Sequence, residues 1–533
     1  MRSTFLLMMV GGITGVFAQQ KNYTISTFGA IGDGRTNNTI PIQQAINQAA
    51  NNGGGTVIIP KGRFVTGALE MKSGVTLHLD QDAILQGSDQ RLEYNTYPHP
   101  ALIYAKDQHD VAITGKGTID GKGRELMINI FKLLKDGVIE DPDWKIKRPN
   151  ERTRTNLLYF EACNGIQIRG VHLKDASSWV THYERCRNLV IDSIHLESMA
   201  YWNNDGLDIV DCKNVRVTNS FINAADDAIC LKSATRNDYC DSIYISDCTL
   251  RSSANAFKIG TGSIGGFKNI TIRNLKIYDT YRSAIALEAV DGGFLENIDI
   301  SNVMAKNTGN AIFIRLGHRN NDNVYSRVQN ILIKNVSVEV PLKKPDAGYE
   351  MEGPLLKYPK GFGPDKSRLV SVSPWNHSSP QDTTAIIYQH NVFPSSVSGL
   401  PGHPVKNVRL ENINIVYEGG ANREINYFPL DSLDRITEAE KDYPEFSMFG
   451  ELPASGFYAR HVEGLQMKNI QLQYKKPDFR TAMVFNDVED LALNGIAIPA
   501  TKALPVIYLH KVTKHSLKHI RLAVDNTKGI IIK

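Results

Sequence analysis

The sequence predicts an all-β fold, a single parallel β-helix, and three observations carry that prediction. First, a cassette of Asn or Asp, alternating apolar positions and a second Asn or Asp recurs. Copies run from Asn214 to Asn219, Asn269 to Asn274, Asn297 to Asn302, Asn330 to Asn335 and Asn407 to Asn412. Alternation with period two makes each copy a strand with one buried face. Second, the first apolar residues are Leu189, Val215, Ile243, Ile270 and Ile298, in steps of 26, 28, 27 and 28 residues. A fixed period of that size marks a solenoid. Third, this spacing leaves no room for a helix between strands, so a βαβ sheet fails. A coil of short stacked strands remains.

The elements follow in chain order. Residues 1–18 read as a signal peptide: Arg2, an apolar run from Phe5 to Phe17, and a small-residue exit at Ala18. The run is too short to span a bilayer. The protein is therefore expected to be exported, periplasmic or extracellular, with one catalytic domain over 19–533. Thr39 to Ala50 reads as a helix, with Pro41 near its start and Gly53 to Gly55 after its end. It is expected to cap the open end of the coil. Weaker strand copies begin near Gly464, Asp490 and Ser516. Three long inserts interrupt the repeat, at about 121–155, 339–404 and 417–455, and Phe131 to Lys135 in the first has helical character. Inserts of this length are expected to form walls of a binding cleft, and closing one end of it would favour exo action.

Composition narrows the function classes. Hydrophobic residues at 42% and charged residues at 22% suit a packed core and exclude a disordered chain. A net charge of +4 without a Lys/Arg block argues against binding nucleic acid through phosphates. Six cysteines in this length do not make a disulfide scaffold. Cys163, Cys186 and Cys212 occupy one repeated position and are expected to stack as a buried column. Gly260 to Gly265 matches a dinucleotide-binding pattern, but a strand follows it and no helix, so that reading is rejected. No nucleophile elbow is present.

A second cassette carries the chemistry. A polar residue precedes a small one at Gly206, Ala228, Ala256, Ala284 and Ala311, heading copies that start at Asp205, Asp227, Asn255, Ser283 and Asn310. Apolar positions point inward, so the leading residue and the third and fifth beyond it point outward. Rungs lie about 4.8 Å apart. Asp205, Asp208, Asp226 and Asp227 are thus expected to form one outward patch, in which at least one carboxyl must hold its proton. A neutral acid beside an ionised carboxylate is what glycoside hydrolysis needs. Two other readings apply to such residues: Asp is common at solenoid turns, and carboxylate patches bind Ca²⁺.

These motifs resemble glycoside hydrolase family 28, the polygalacturonases and related pectin hydrolases. The resemblance rests on FGAIGDGRTNNTIPIQQAINQA, ITGKGTIDG, Asn203-Asn204-Asp205, Asp226-Asp227 and GLPGHPVKNVRLENI. It implies the right-handed form of the coil and hydrolysis with inversion. It makes Asp226 the general acid, and Asp205 and Asp227 the holders of the attacking water. It implies no cofactor and no metal. The expected partner is a polysaccharide; no nucleic acid and no membrane insertion are expected, and the oligomeric state is unreadable.

Two departures stand out. The family's histidine position is Asn255, and its Arg-Ile-Lys segment is Ala286-Leu287-Glu288. The lost cations point towards rhamnogalacturonan or a pectic side structure. Lys258, Arg315, His318 and Arg319 are candidates to bind a carboxylate instead. Asn203, Asp208 and Asn255 are further substrate-binding candidates. Trp202 is a candidate stacking platform, with Tyr201 and Trp179 nearby, and His182 is a candidate ligand on the preceding rung. The rival readings are a polysaccharide lyase and a non-catalytic carbohydrate-binding β-helix.

Overall fold

The computed structural model describes residues 21–95, 99–142, 144–145, 148–343, 345, 391–499, 501 and 503–533. The expected signal peptide lies outside them, as does most of the second insert.

Alternating apolar residues wind the chain into a coil with three strand stacks, paired in parallel. One stack runs through Val75–Leu79, His109–Gly115, Asn164–Arg169, Arg187–Asp192, Lys213–Thr218 and Cys240–Ser246. A second runs through Ala83–Gly87, Thr118–Asp120, His172–Lys174, His195–Ser198, Phe221–Ala224 and Thr249–Ser252. The third carries the site: Ala101–Lys106, Asn156–Glu161, Thr181–Glu184, Leu207–Val210, Ile229–Ser233 and Phe257–Ser263. Leu189, Val215, Ile243, Ile270 and Ile298 are in register, as the repeat requires, and buried. The weaker copies join the same stacks, with Leu465 beside Leu491 and Leu493 beside Leu517.

The recurring Asn has a physical cause. Asn269, Asn274, Asn297, Asn302, Asn330, Asn335, Asn407 and Asn412 all hold φ between 53° and 59°. Asn tolerates this left-handed turn because its short side chain hydrogen-bonds locally. Each amide also reaches the previous rung: Asn302 Nδ2 donates to Asn274 Oδ1 at 3.0 Å, and Asn335 Nδ2 to Asn302 Oδ1 at 3.0 Å.

The cysteine column is present and longer than expected, because Cys240 joins Cys163, Cys186 and Cys212 in register. All six thiols are buried and free. Helix α1 (Thr39–Asn51) turns Ile42, Ala45, Ile46 and Ala49 into the coil's end, as a cap must.

The first insert departs from expectation. Its helix α2 (Gly123–Lys135) begins eight residues before Phe131. Leu126, Met127, Ile130, Phe131 and Leu134 are spaced for one helical face and bury it. The second insert is not wholly a loop, since Ser395–Ser398 forms a rung of the site-bearing stack. In the third, strands end at Gly419 and resume at Ala454. Leu433, Ile436, Phe449 and Leu452 pack there on the outward faces of Tyr458, Val484 and Tyr508. No helix among the described residues is long and apolar enough to cross a membrane.

Candidate active site

Register brings the acids together. Leu207 pairs with Ile229 and Ile229 with Phe257, so Asp205, Asp227 and Asn255 head successive rungs. Backbone bonds tie the heads: Gly206 N–H donates to Asp227 O at 2.9 Å, and Ala228 N–H to Asn255 O at 2.9 Å. Asp205 and Asp227 bring donor oxygens within 4.8 Å of each other.

The patch lies outside the apolar interior of the coil, as expected, but it is not open. Asp205, Asp226 and Asp227 are at most 4% exposed and Asp208 is fully buried. The reason is the inserts. Residues 148–154 close over Trp202 and Asn203 on one side, and residues 438–449 lie over the rungs on the other. Burial this deep penalises every one of these charges, so the neighbouring cations and hydrogen bonds set the acids apart.

Asp227 is held ionised. Burial works against its charge, but Lys258, Lys232 and the hydrogen bond from Asn255 outweigh it and keep its carboxyl below the usual range. Lys258 Nζ sits 3.1 Å from Asp227 Oδ2, and Asn255 Nδ2 donates to Oδ1 at 2.9 Å. Asp226 goes the other way. Burial, then the charges of Asp205 and Asp227, push its carboxyl well above the usual range. Its side-chain partners are Asn203 Nδ2 at 3.3 Å and the Asp227 N–H at 2.9 Å. Asp205 is raised by burial despite Lys232, whose Nζ lies 3.0 Å from Oδ2, and Asp205 Oδ1 has no hydrogen-bond partner among the described residues.

Several candidate ligands have structural employment instead. Asn255 Oδ1 accepts from Ser283 N–H at 3.1 Å while its amide serves Asp227, so it positions an acid. Asn203 likewise links Asp226 to Arg154, which donates to Asn203 Oδ1 at 2.9 Å. Asp208 is bound by Lys232. Lys258 is buried between Asp227, Glu288 and the Tyr443 hydroxyl, the last at 3.0 Å. The Arg315 guanidinium binds the carbonyls of Gly399, Glu438 and Ala439 and so fastens the third insert. His318 stacks on Tyr325 at 4.1 Å, and Tyr325 on His403 at 3.6 Å, which makes it packing. Arg319 is paired with Asp291 through two bonds of 3.0 Å. Trp202 packs in the main core cluster rather than offering an open face. His182 is buried beside Asp208 in register.

Lys232, Arg154, Arg282 and Tyr443 are missing from the sequence expectations. Lys232 had a signal, since it stands at the outward fifth position after Asp227. Tyr443 had none, as it comes from an insert 185 residues beyond Lys258. Cys230 lies near Asp205 and Asp227 in a set that could in principle ligate a cation. The donors do not suit one. Lys232 and Lys258 already neutralise both carboxylates, and Cys230 Sγ donates to Gly260 O at 3.1 Å, its thiol raised by burial.

Comparison with known proteins gives consistent relatives. The family model described as Glycosyl hydrolases family 28 matches residues 51–341, more than half of the chain. A probable polygalacturonase of Vitis vinifera is 27% identical over 54% of this chain and 56% of its own length. An exo-poly-alpha-D-galacturonosidase of Dickeya chrysanthemi is 25% identical over 61% of this chain and 63% of its own length. The matches thus span less than two thirds of these two relatives. The exopolygalacturonase structure from Thermotoga maritima superposes with a TM-score of 0.57 at 20% identity, covering 85% of this chain and 92% of that one. The family 28 exopolygalacturonase structure from Yersinia enterocolitica gives 0.54 at 17%, over 95% and 79%. At such identities these two structures show the shared fold.

Proposed function

We propose, on the premise that this chain belongs to family 28 of the glycosyl hydrolases, that it hydrolyses glycosidic bonds in a galacturonate-containing pectic polysaccharide. The names of its relatives, a probable polygalacturonase and an exo-poly-alpha-D-galacturonosidase, support this reading. The observation that carries the reading is the unlike setting of two adjacent buried carboxyls: Asp227 is held by Lys258 at 3.1 Å and Asn255 at 2.9 Å, which lower it, whereas burial and the neighbouring aspartates raise Asp226.

Asp226 gives its proton to the glycosidic oxygen as the bond from that oxygen to the anomeric carbon breaks. Asp227 accepts a proton from water as the water oxygen bonds to the same carbon from the opposite face. Asp205 Oδ1, with its acceptor capacity unused by the described residues, helps to hold that water. The product is inverted at the anomeric carbon. Lys258 and Lys232 keep the base charged. The third insert, fastened by Arg315, covers the C-terminal side of the site and supports exo action. Export through residues 1–18 would bring the enzyme to its polymer.

Product analysis of the native chain and its Asp226→Asn variant, on homogalacturonan and on rhamnogalacturonan fragments, tests this. Loss of saturated reducing ends in the variant is expected. An unsaturated product from the native chain would make it a lyase, and unchanged turnover in the variant would remove Asp226 from the mechanism.

A further inference from the structure

On the N-terminal side of the acids, four rings meet. The His182 ring centroid lies 4.9 Å from Trp179, 4.8 Å from Tyr159 and 5.1 Å from His99. Tyr159, His182 and Asp208 occupy one outward column on successive rungs. The rings therefore stand about one rung, roughly 4.8 Å, from the acidic cluster. Lys232 joins the two, with its Nζ 4.2 Å from the centre of the Trp179 ring while it binds Asp205 and Asp208. Tyr159 and His182 are buried, whereas Trp179 and His99 are half-buried and reach the surface.

We propose that this aromatic cluster packs against an uncharged sugar ring beside the bond to be cleaved. The inference rests on the hydrolase reading above and names the sugar class at one position of that site. Three observations support it. First, the half-buried Trp179 indole, with Lys232 over one face and His182 at its edge, offers its other face to the C–H face of a pyranose. Second, His182 Nδ1 is buried without a hydrogen-bond partner among the described residues, which leaves it for a sugar hydroxyl. Burial holds this imidazole neutral. Third, the charges are wrong for a uronate. Near His99 the acids Glu184, Glu151 and Glu161 stand against Arg152. Lys106 is paired with Glu161, Arg185 with Glu161 and Glu184, and Lys232 with two aspartates. A carboxylate entering here would meet cations already committed and acids that repel it.

The test is calorimetric binding to the full-length Asp226→Asn variant. The probes are a galacturonate tetrasaccharide, its fully methyl-esterified form, and a neutral galactose tetrasaccharide of the same linkage. The uncharged probes are expected to bind at least about tenfold tighter than the free acid. Preference for the ester over galactose would identify an esterified uronate as the occupant, and the reverse a neutral sugar. Adding Trp179→Ala should weaken the uncharged probes about tenfold, with recovery in Trp179→Phe. Tighter binding of the free acid, weakened by Arg152→Ala, would overturn the proposal, and this arm needs no change at Trp179. Turnover by the Asp226→Asn variant is measured separately, so failure of the hydrolase reading is distinguishable from failure of this one.

Discussion

Asn255 holds Asp227 twice on one oxygen: its backbone N–H at 3.0 Å and its side-chain amide at 2.9 Å both donate to Oδ1. An amide that donates to a carboxylate favours the ionised form. Asn255→Ala keeps the backbone bond and loses the other. The carboxyl of Asp227 should then titrate higher, moving the acidic limb of the kcat/KM profile to higher pH. Activity should fall about tenfold to a hundredfold. An unmoved acidic limb would show that Asn255 does not tune this base.

On the proposed mechanism, the two acids should give a bell-shaped pH dependence. Asp226 must carry its proton, so activity is lost as pH rises through its raised value. Asp227 must lack one, so activity is lost as pH falls through its lowered value. Asp226→Asn should cost about 10²–10⁴ in kcat and abolish the alkaline limb in the residual rate. Retention of that limb would assign it to another group.

Glu288 couples the site to stability. Burial pushes its carboxyl from 4.5 to about 7. Between those values the unfolded chain has released this proton and the folded chain has kept it, so stability falls as pH climbs through the window. The contribution is complete below the lower value and gone above the higher one. Glu288→Gln should flatten urea-unfolding stability over this range and make the protein more stable above pH 7, by on the order of 3 kcal/mol at most. Equal pH slopes in the two proteins would contradict this.

The asparagine ladder should be measurable at one rung. Asn302 holds φ at 59° and exchanges amide bonds with Asn274 and Asn335. Asn302→Ala should cost about 2 kcal/mol, from backbone strain and lost bonds together. Asn302→Gly should recover the strain part alone. Equal losses in the two variants would mean that the turn conformation costs nothing here.

The coil was legible because a solenoid writes its contacts at a fixed separation. Leu189 and Val215 are neighbours in space because they are one turn apart in sequence, and so are Asp205 and Asp227. The acids were legible for the same reason. The surroundings of Arg315 and His318 were not legible, since an outward register position says that a side chain leaves the core and nothing about what then covers it. The third insert covers both. Tyr443 was invisible because its partner lies far away in the chain and no period connects them.

By itself, the sequence determined the stacked strands, the inward aliphatic columns and the gathering of carboxylates on one face, because each follows from local alternation repeated at a constant interval. Only the tertiary structure decided which carboxyl keeps its proton. That depends on how deeply the inserts bury Asp226 and on where the ammonium groups of Lys232 and Lys258 come to rest. Electrostatic energy depends on distance and dielectric surroundings, and both are properties of the folded chain.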